Sequence, residues 1–227
     1  MKINIEKCLK FFDERHLKYQ SHTNAIISMI GEEIASKSLL SYMLSRKRRL
    51  EVVDGKFQAV KSRNGVGPRL DKWFIERNRK TLYQCEIKNW CAFSTVGVDV
   101  LKEGVGKAAN GYWDKLLIEL RKFDGQKKYG KTSKVLVEMK KLEKYQNFKL
   151  EPILILWWPI SRNNELKPFF SVNVNKLSIR FKTKFKKLHI FSVSLYFRKL
   201  LNERKNLNLD MPNSQYRIKI LKSLGIL

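Results

Sequence analysis

The sequence predicts an α/β fold around a mixed sheet, and three stretches carry that prediction. Residues 24–43 set Ile26, Ile27, Ile30, Ile34, Leu39 and Tyr42 at helical spacing. Residues 69–90 place aromatic and β-branched side chains on both sides of a polar turn, and Ile153–Trp158 is an unbroken apolar run. These read as an amphipathic helix, a β-hairpin and a central strand buried on both faces.

Taken in order, Ile5, Leu9, Phe12 and Leu17 mark a first helix from Ile5 to about Tyr19, capped by Asn4. The second helix, Asn24–Met43, starts at a Thr23 or Asn24 cap and contains Gly31-Glu32-Glu33-Ile34-Ala35. Arg46-Lys47-Arg48-Arg49 follows, a basic run suited to a helix C-terminus or to phosphate. Leu50–Val60 reads as a strand broken at Asp54-Gly55, and Gly65-Val66-Gly67-Pro68 as the loop into the hairpin.

In the hairpin, Asn78 is the residue best suited to the positive φ of a tight turn. A turn centred on Asn78-Arg79 pairs Ile75 with Leu82, Trp73 with Gln84, and Asp71 with Glu86. Cross-strand partners have Cβ atoms about 5 Å apart, so two carboxylates would face each other, with Lys88 diagonally beside them. Cys85 points to the opposite face. Like charges held that close need neutralising, and a divalent cation with oxygen ligands is the natural candidate.

Beyond the hairpin, Cys91–Gly106 reads as loop, Ala108–Phe123 and Ser133–Tyr145 as helices covering the sheet, and Ile153–Trp158 as the central strand. Gly106-Lys107-Ala108 is no phosphate-binding loop, because Leu101 stands for the first glycine and Ala108 for the Ser/Thr that would hold Mg2+. From Lys176 to Lys205 the chain has ten Lys plus Arg and one acid, Glu203. There Arg180, Lys182, Lys184 and Lys186 alternate with Ile179, Phe181, Thr183 and Phe185, which predicts a strand with one cationic face. Such a face either protects a sheet edge or contacts a nucleic-acid backbone.

At 227 residues with 43% apolar content, the chain forms one core: residues 1–160 with an N-terminal helix, and 161–227 as a basic extension packed on the same domain. A net charge of +26 works against compactness and calls for a polyanion, with nucleic acid first and an anionic membrane second. No lipidation signal or basic amphipathic anchor supports the membrane. Cys8, Cys85 and Cys91 lack metal-site spacing and suit a reducing compartment. With no secretory signal and no run long enough to span a bilayer, the expected location is cytoplasmic.

Asp71, fourteen intervening residues and then Glu86-Ile87-Lys88 resemble the signature of the PD-(D/E)xK nuclease superfamily. The predicted order of helix, three strands, helix and strand over residues 24–160 is similar to that family's restriction-endonuclease-like α-β-β-β-α-β core, with helices on both faces. The resemblance implies a nuclease dependent on Mg2+, with Mn2+ substituting, that hydrolyses phosphodiester bonds, most readily in DNA. Asp71, Glu86 and the Ile87 carbonyl would hold the metal, and Lys88 would position or deprotonate water. The Gly-Glu-x-x-Ala setting resembles the family's first core helix and points to Glu32 as a further catalytic acid, with Glu33 as the alternative. Arg69, Arg180, Lys182, Lys184 and Lys186 are the expected nucleic-acid contacts. A structure-selective enzyme like a Holliday junction resolvase fits the size of the chain, and a homodimer is compatible with it. The rival is a non-catalytic nucleic-acid-binding protein on the same fold.

Overall fold

The computed structural model describes residues 1–13, 30–53, 70–88, 100–122, 130–139, 141 and 143–223. It is a mixed α/β fold. A six-stranded sheet takes the order β2-β3-β4-β5-β7-β6, formed by β2 (Glu51–Val52), β3 (Lys72–Glu76), β4 (Thr81–Lys88), β5 (Lys149–Leu156), β6 (Phe169–Asn173) and β7 (Lys187–Ser192). β4, β5 and β7 run parallel, while β2–β3, β3–β4 and β6–β7 are antiparallel. A second, two-stranded sheet joins β1 (Lys2–Ile3) to β8 (Leu207–Asn208).

Helices cover both faces. α1 (Ile5–Asp13), α2 (Glu32–Ser45) and α5 (Val193–Asn202) pack Leu9, Leu39, Met43 and Phe197 against Phe74, Tyr83, Cys85, Ile87, Ile153 and Ile155. On the other face, α4 (Val105–Arg121) sets Ala108, Tyr112, Leu116 and Leu120 against Leu154, Leu156, Leu188 and Ile190. β4 and β5 are therefore filled from both sides, and all eight residues of β4 are buried. The apolar run of β5 has the central, parallel position that its composition predicts.

The local chemistry explains most boundaries. Asn4 Oδ1 accepts from the Lys7 amide at 2.9 Å, capping α1 as expected. α2 ends two residues later than predicted, with Lys47 at φ 58°: the Lys47 amide donates to Leu44 O and the Arg48 amide to Met43 O. The proposed caps Thr23 and Asn24 lie outside the described residues, as do Cys91 and the glycines at 65 and 67. Val100–Glu103, expected as loop, is a short helix, α3. Gly104, at φ 82°, turns the chain from α3 into α4, a conformation that favours glycine.

Two elements differ from expectation. Ser133–Tyr145 is not one helix: it holds two short 3₁₀ turns, Ser133–Leu136 and Glu143–Tyr145. Gln84, buried on β4, explains the first break, because its Nε2 donates to the Val135 and Val137 carbonyls and its Oε1 accepts from the Met139 amide at 3.3 Å. Carbonyls that a helix would use internally are bonded to the sheet instead. Residues 179–186 are likewise no strand, since β7 begins only at Lys187. The alternation survives without the ladder. Ile179, Phe181 and Phe185 pack inward, Thr183 Oγ1 donates to Leu136 O at 2.8 Å, and Arg180, Lys182, Lys184 and Lys186 are exposed.

At the turn end of the hairpin, buried Glu76 is fully engaged. Arg48 donates to it twice, from Nε at 2.9 Å and Nη2 at 2.7 Å, Tyr83 OH donates at 3.0 Å, and Arg79 lies 3.3 Å away. The row continues across the sheet: His189 Nε2 lies 2.8 Å from Glu151 Oε2, and its Nδ1 lies 2.7 Å from Ser171 Oγ.

Candidate functional site

The hairpin register is the predicted one: Trp73 pairs with Gln84 and Ile75 with Leu82. The turn is different, a four-residue loop with a 3₁₀ turn at Arg77–Arg79 and its positive φ at Lys80 rather than Asn78. Both loops are centred on the same peptide, so either gives the same pairing.

The ladder stops at Lys72–Cys85, one pair before the acids. Asp71 is a bend whose amide donates to Cys85 O at 3.1 Å and whose Oδ2 accepts from the Ile87 amide at 2.7 Å. Asp71 and Glu86 therefore do not face each other as a cross-strand pair. The Asp71 carboxylate has moved along the edge of β4, taking the place of a ladder carbonyl. Within a strand, a residue's amide and carbonyl leave on the same side. The Ile87 carbonyl thus points to the Asp71 side, while the Lys88 carbonyl accepts from Trp157 on the β5 side.

Glu86 is 1% exposed and lies on the sheet face opposite Cys85, a buried free thiol whose pKa burial holds well above its usual value. Lys88, 9% exposed, pairs with Glu86 Oε1, and Lys134, from the Ser133–Leu136 turn, lies 2.8 Å from Oε2. Each Glu86 oxygen thus has an ammonium group beside it. The two lysines do not offset the environment: burial first, and Asp71 second, push the Glu86 carboxyl up to about 7 against the pull of Lys88 and Lys134.

The two helix acids have separate fates. Glu32, half-buried in the first turn of α2, is raised by burial and by Asp71, with Lys72, Arg217 and Lys134 opposing. It belongs to the electrostatic neighbourhood of Asp71. Glu33 is turned away: its Oε1 accepts from the Asn213 amide at 3.1 Å, and its Oε2 from the Ser214 amide at 2.7 Å and from Ser214 Oγ. It caps α6 (Pro212–Ser223), and its position is accounted for by that task.

Asp71, Glu86, Lys88 and Glu32 are thus brought to one end of the sheet, with Ile87 between. Arg69 lies outside the described residues. Arg180, Lys182, Lys184 and Lys186 sit on an exposed segment, with Lys184 3.2 Å from Glu138. The Thr183–Leu136 bond ties that segment to the same 3₁₀ turn that carries Lys134. Sequence reasoning missed Lys134, Lys72 and Arg217. Lys134 and Arg217 come from distant segments with no local motif, whereas Lys72 had one available signal, its place next to Asp71.

Oxygen donors from three carboxylates and a carbonyl match a hard cation in kind. Among the described residues, no group of three or more His, Cys, Asp or Glu side chains is gathered closely enough to hold a metal ion. Both Glu86 oxygens face an ammonium, and a cation there would take a lysine's place. No helix among the described residues is long and apolar enough to cross a membrane. Comparison with known protein families, curated proteins and solved structures gives no match.

Proposed function

We propose that this protein is a divalent-metal-dependent nuclease of the PD-(D/E)xK type that hydrolyses phosphodiester bonds in DNA. The observation that carries the reading is the meeting of Asp71, Glu86, Lys88 and Glu32 at one end of β4, where burial and mutual repulsion leave Glu86 with a raised pKa. Carboxylates that strain against each other in a basic protein are more readily explained by function than by stability. The order α2, β2, β3, β4, α4, β5, with β2 to β5 adjacent in the sheet, supports a restriction-endonuclease-like core.

Asp71, Glu86 and the Ile87 carbonyl would hold Mg2+, with Mn2+ substituting. When bound, the ion would supply positive charge to the phosphate and to the leaving oxygen. The chain's own groups do the rest. Lys88, released from Glu86, orients or deprotonates the attacking water, and Glu32 accepts a hydrogen bond from that water. Lys134 and the segment Arg180–Lys186 attract and align the phosphate backbone.

One observation favours a second reading, a nucleic-acid-binding protein that does not cut. Lys88 and Lys134 already pair with both Glu86 oxygens, as a site that had given up its cation would require. The test is cleavage of duplex, single-stranded, flap and four-way-junction DNA with Mg2+, Mn2+ or chelator. The nuclease reading expects divalent-dependent cleavage that Asp71→Asn abolishes while binding survives. Tight binding with no cleavage on any substrate establishes the second reading.

A further inference from the structure

Helix α6 stands where the fold gives it little to do. Among its described side chains Ser214 is buried and Ile218 half-buried, with Met211 buried just before the helix, while Tyr216 is 66% and Ile220 40% exposed. An isolated helix of that length is marginal in water. Something must reward its ordering. One half of the answer is the Glu33 carboxylate, which takes two amides and a hydroxyl at the helix N-terminus, where a negative charge also suits the dipole.

The other half is charge. α6 carries Arg217, Lys219 and Lys222, all exposed, and no acid. Glu33 is adjacent in sequence to Glu32, so the capping bonds set the start of α6 beside the carboxylate site. Arg217 lies one helical turn beyond Asn213 and Ser214, hence on the capped side, and it bears on Glu32 electrostatically.

Resting on the reading of the protein as one that acts on nucleic acid, we propose that α6 is a clamp for the phosphate backbone, held over the carboxylate site by Glu33. A lipid surface fits less well. At about 100° per residue the three cations fall near 0°, 140° and 200° around the axis, so they interrupt any apolar stripe. A polyanion that wraps the helix end meets all three. Glu33 then acts as a positioning residue, linking the substrate-binding helix to the helix that carries Glu32.

The test is fluorescence anisotropy of the full chain on a short duplex DNA across a salt series. Removing three phosphate contacts flattens the slope of log K against log salt by roughly 2 to 3. The variant Arg217→Ala, Lys219→Ala, Lys222→Ala is expected to show that change and at least a tenfold weaker Kd, roughly the loss of a few phosphate contacts. A charge-matched control, Lys2→Ala, Lys7→Ala, Lys176→Ala, is expected to bind more nearly as wild type does. Glu33→Gln gives the sharper reading. It removes a negative charge, so bulk electrostatics alone predicts tighter binding, whereas loss of the clamp's position predicts weaker binding in a protein that still melts cooperatively.

Wild-type protein that binds no nucleic acid removes the functional reading itself. Wild-type binding with an unchanged slope in the α6 variant, or tighter binding by Glu33→Gln, overturns the clamp alone. Flotation of wild type but not the α6 variant on vesicles of anionic phospholipid, with DNA binding unaffected, assigns the helix to a membrane and also overturns it.

Discussion

Glu76 and Glu86 sit ten residues apart in one hairpin, both nearly buried at 3% and 1% exposure, and their carboxyls titrate in opposite directions. Burial works to raise Glu76, but Arg48, with Tyr83 and Arg79, holds it below the usual carboxylate range. Glu86 has two lysines of its own and still rises to about 7. The difference lies in geometry and neighbours. Arg48 offers a planar fork matched to both oxygens, and a phenol completes the set. Two ammonium groups are point charges, and a second carboxylate lies close by. One end of the hairpin is finished as structure, whereas the other is left strained, as sites that do chemistry are.

The largest effect that would break this contrast is on cleavage. Glu86→Gln, which would lose a metal-holding carboxylate, and Lys88→Ala, which would lose the group acting on the water, should each lower divalent-dependent cleavage about a hundredfold or more. Thermal melting of Glu86→Gln should stay level or improve, because a strained charge is removed. Equal cleavage by wild type and both variants would place the chemistry elsewhere. At the other end the signs reverse. Glu76→Gln strands the Arg48 guanidinium and should lower stability by about 3 kcal/mol in chemical denaturation. Its cleavage, measured below the melting transition, should be unchanged, and a fall in cleavage without a fall in stability would mean the two ends are coupled.

Tyr83→Phe sharpens the comparison by one hydroxyl. It removes the donor to Glu76 and an acceptor for Arg48 Nη2 while the Arg48–Glu76 fork remains, and about 1 to 2 kcal/mol should be lost. The smallest effect is in acid. His189, joined by Lys149, holds the Glu151 carboxyl down to about 2 from its ordinary 4.5. A depressed folded value stabilises above the ordinary one and is lost as pH falls toward about 2. Glu151→Gln should therefore flatten the acid limb of the stability curve between those values. An unchanged limb would mean that other carboxylates, Glu76 among them, set it.

Much of this was legible because it is local. The described part of the α2 stripe, the hairpin register and the opposed faces of Cys85 and Glu86 follow from periods of 3.6 and 2, and the buried stretch 153–156 of β5 from its unbroken apolar run. The alternation of residues 179–186 was read correctly for burial, although no ladder forms there. What local pattern missed was made by side chains bonding to distant backbone. Gln84 opens the predicted Ser133–Tyr145 helix, Asp71 bends to take the Ile87 amide, and Glu33 caps a helix 180 residues away. Glu32 and Glu33 were indistinguishable in the sequence because only the tertiary position of α6 separates them.

The three bonds of Gln84 also settle how insertions spread. Lys134 reaches Glu86 from a turn stapled to β4 at residues 135–139, and Gly130 and Ser133 bond each other at 2.7 Å just upstream. The position of the ammonium is therefore set from within residues 130–139. A residue added between Ser133 and Met139 would slip that segment past Gln84 and retune the charge balance around Glu86.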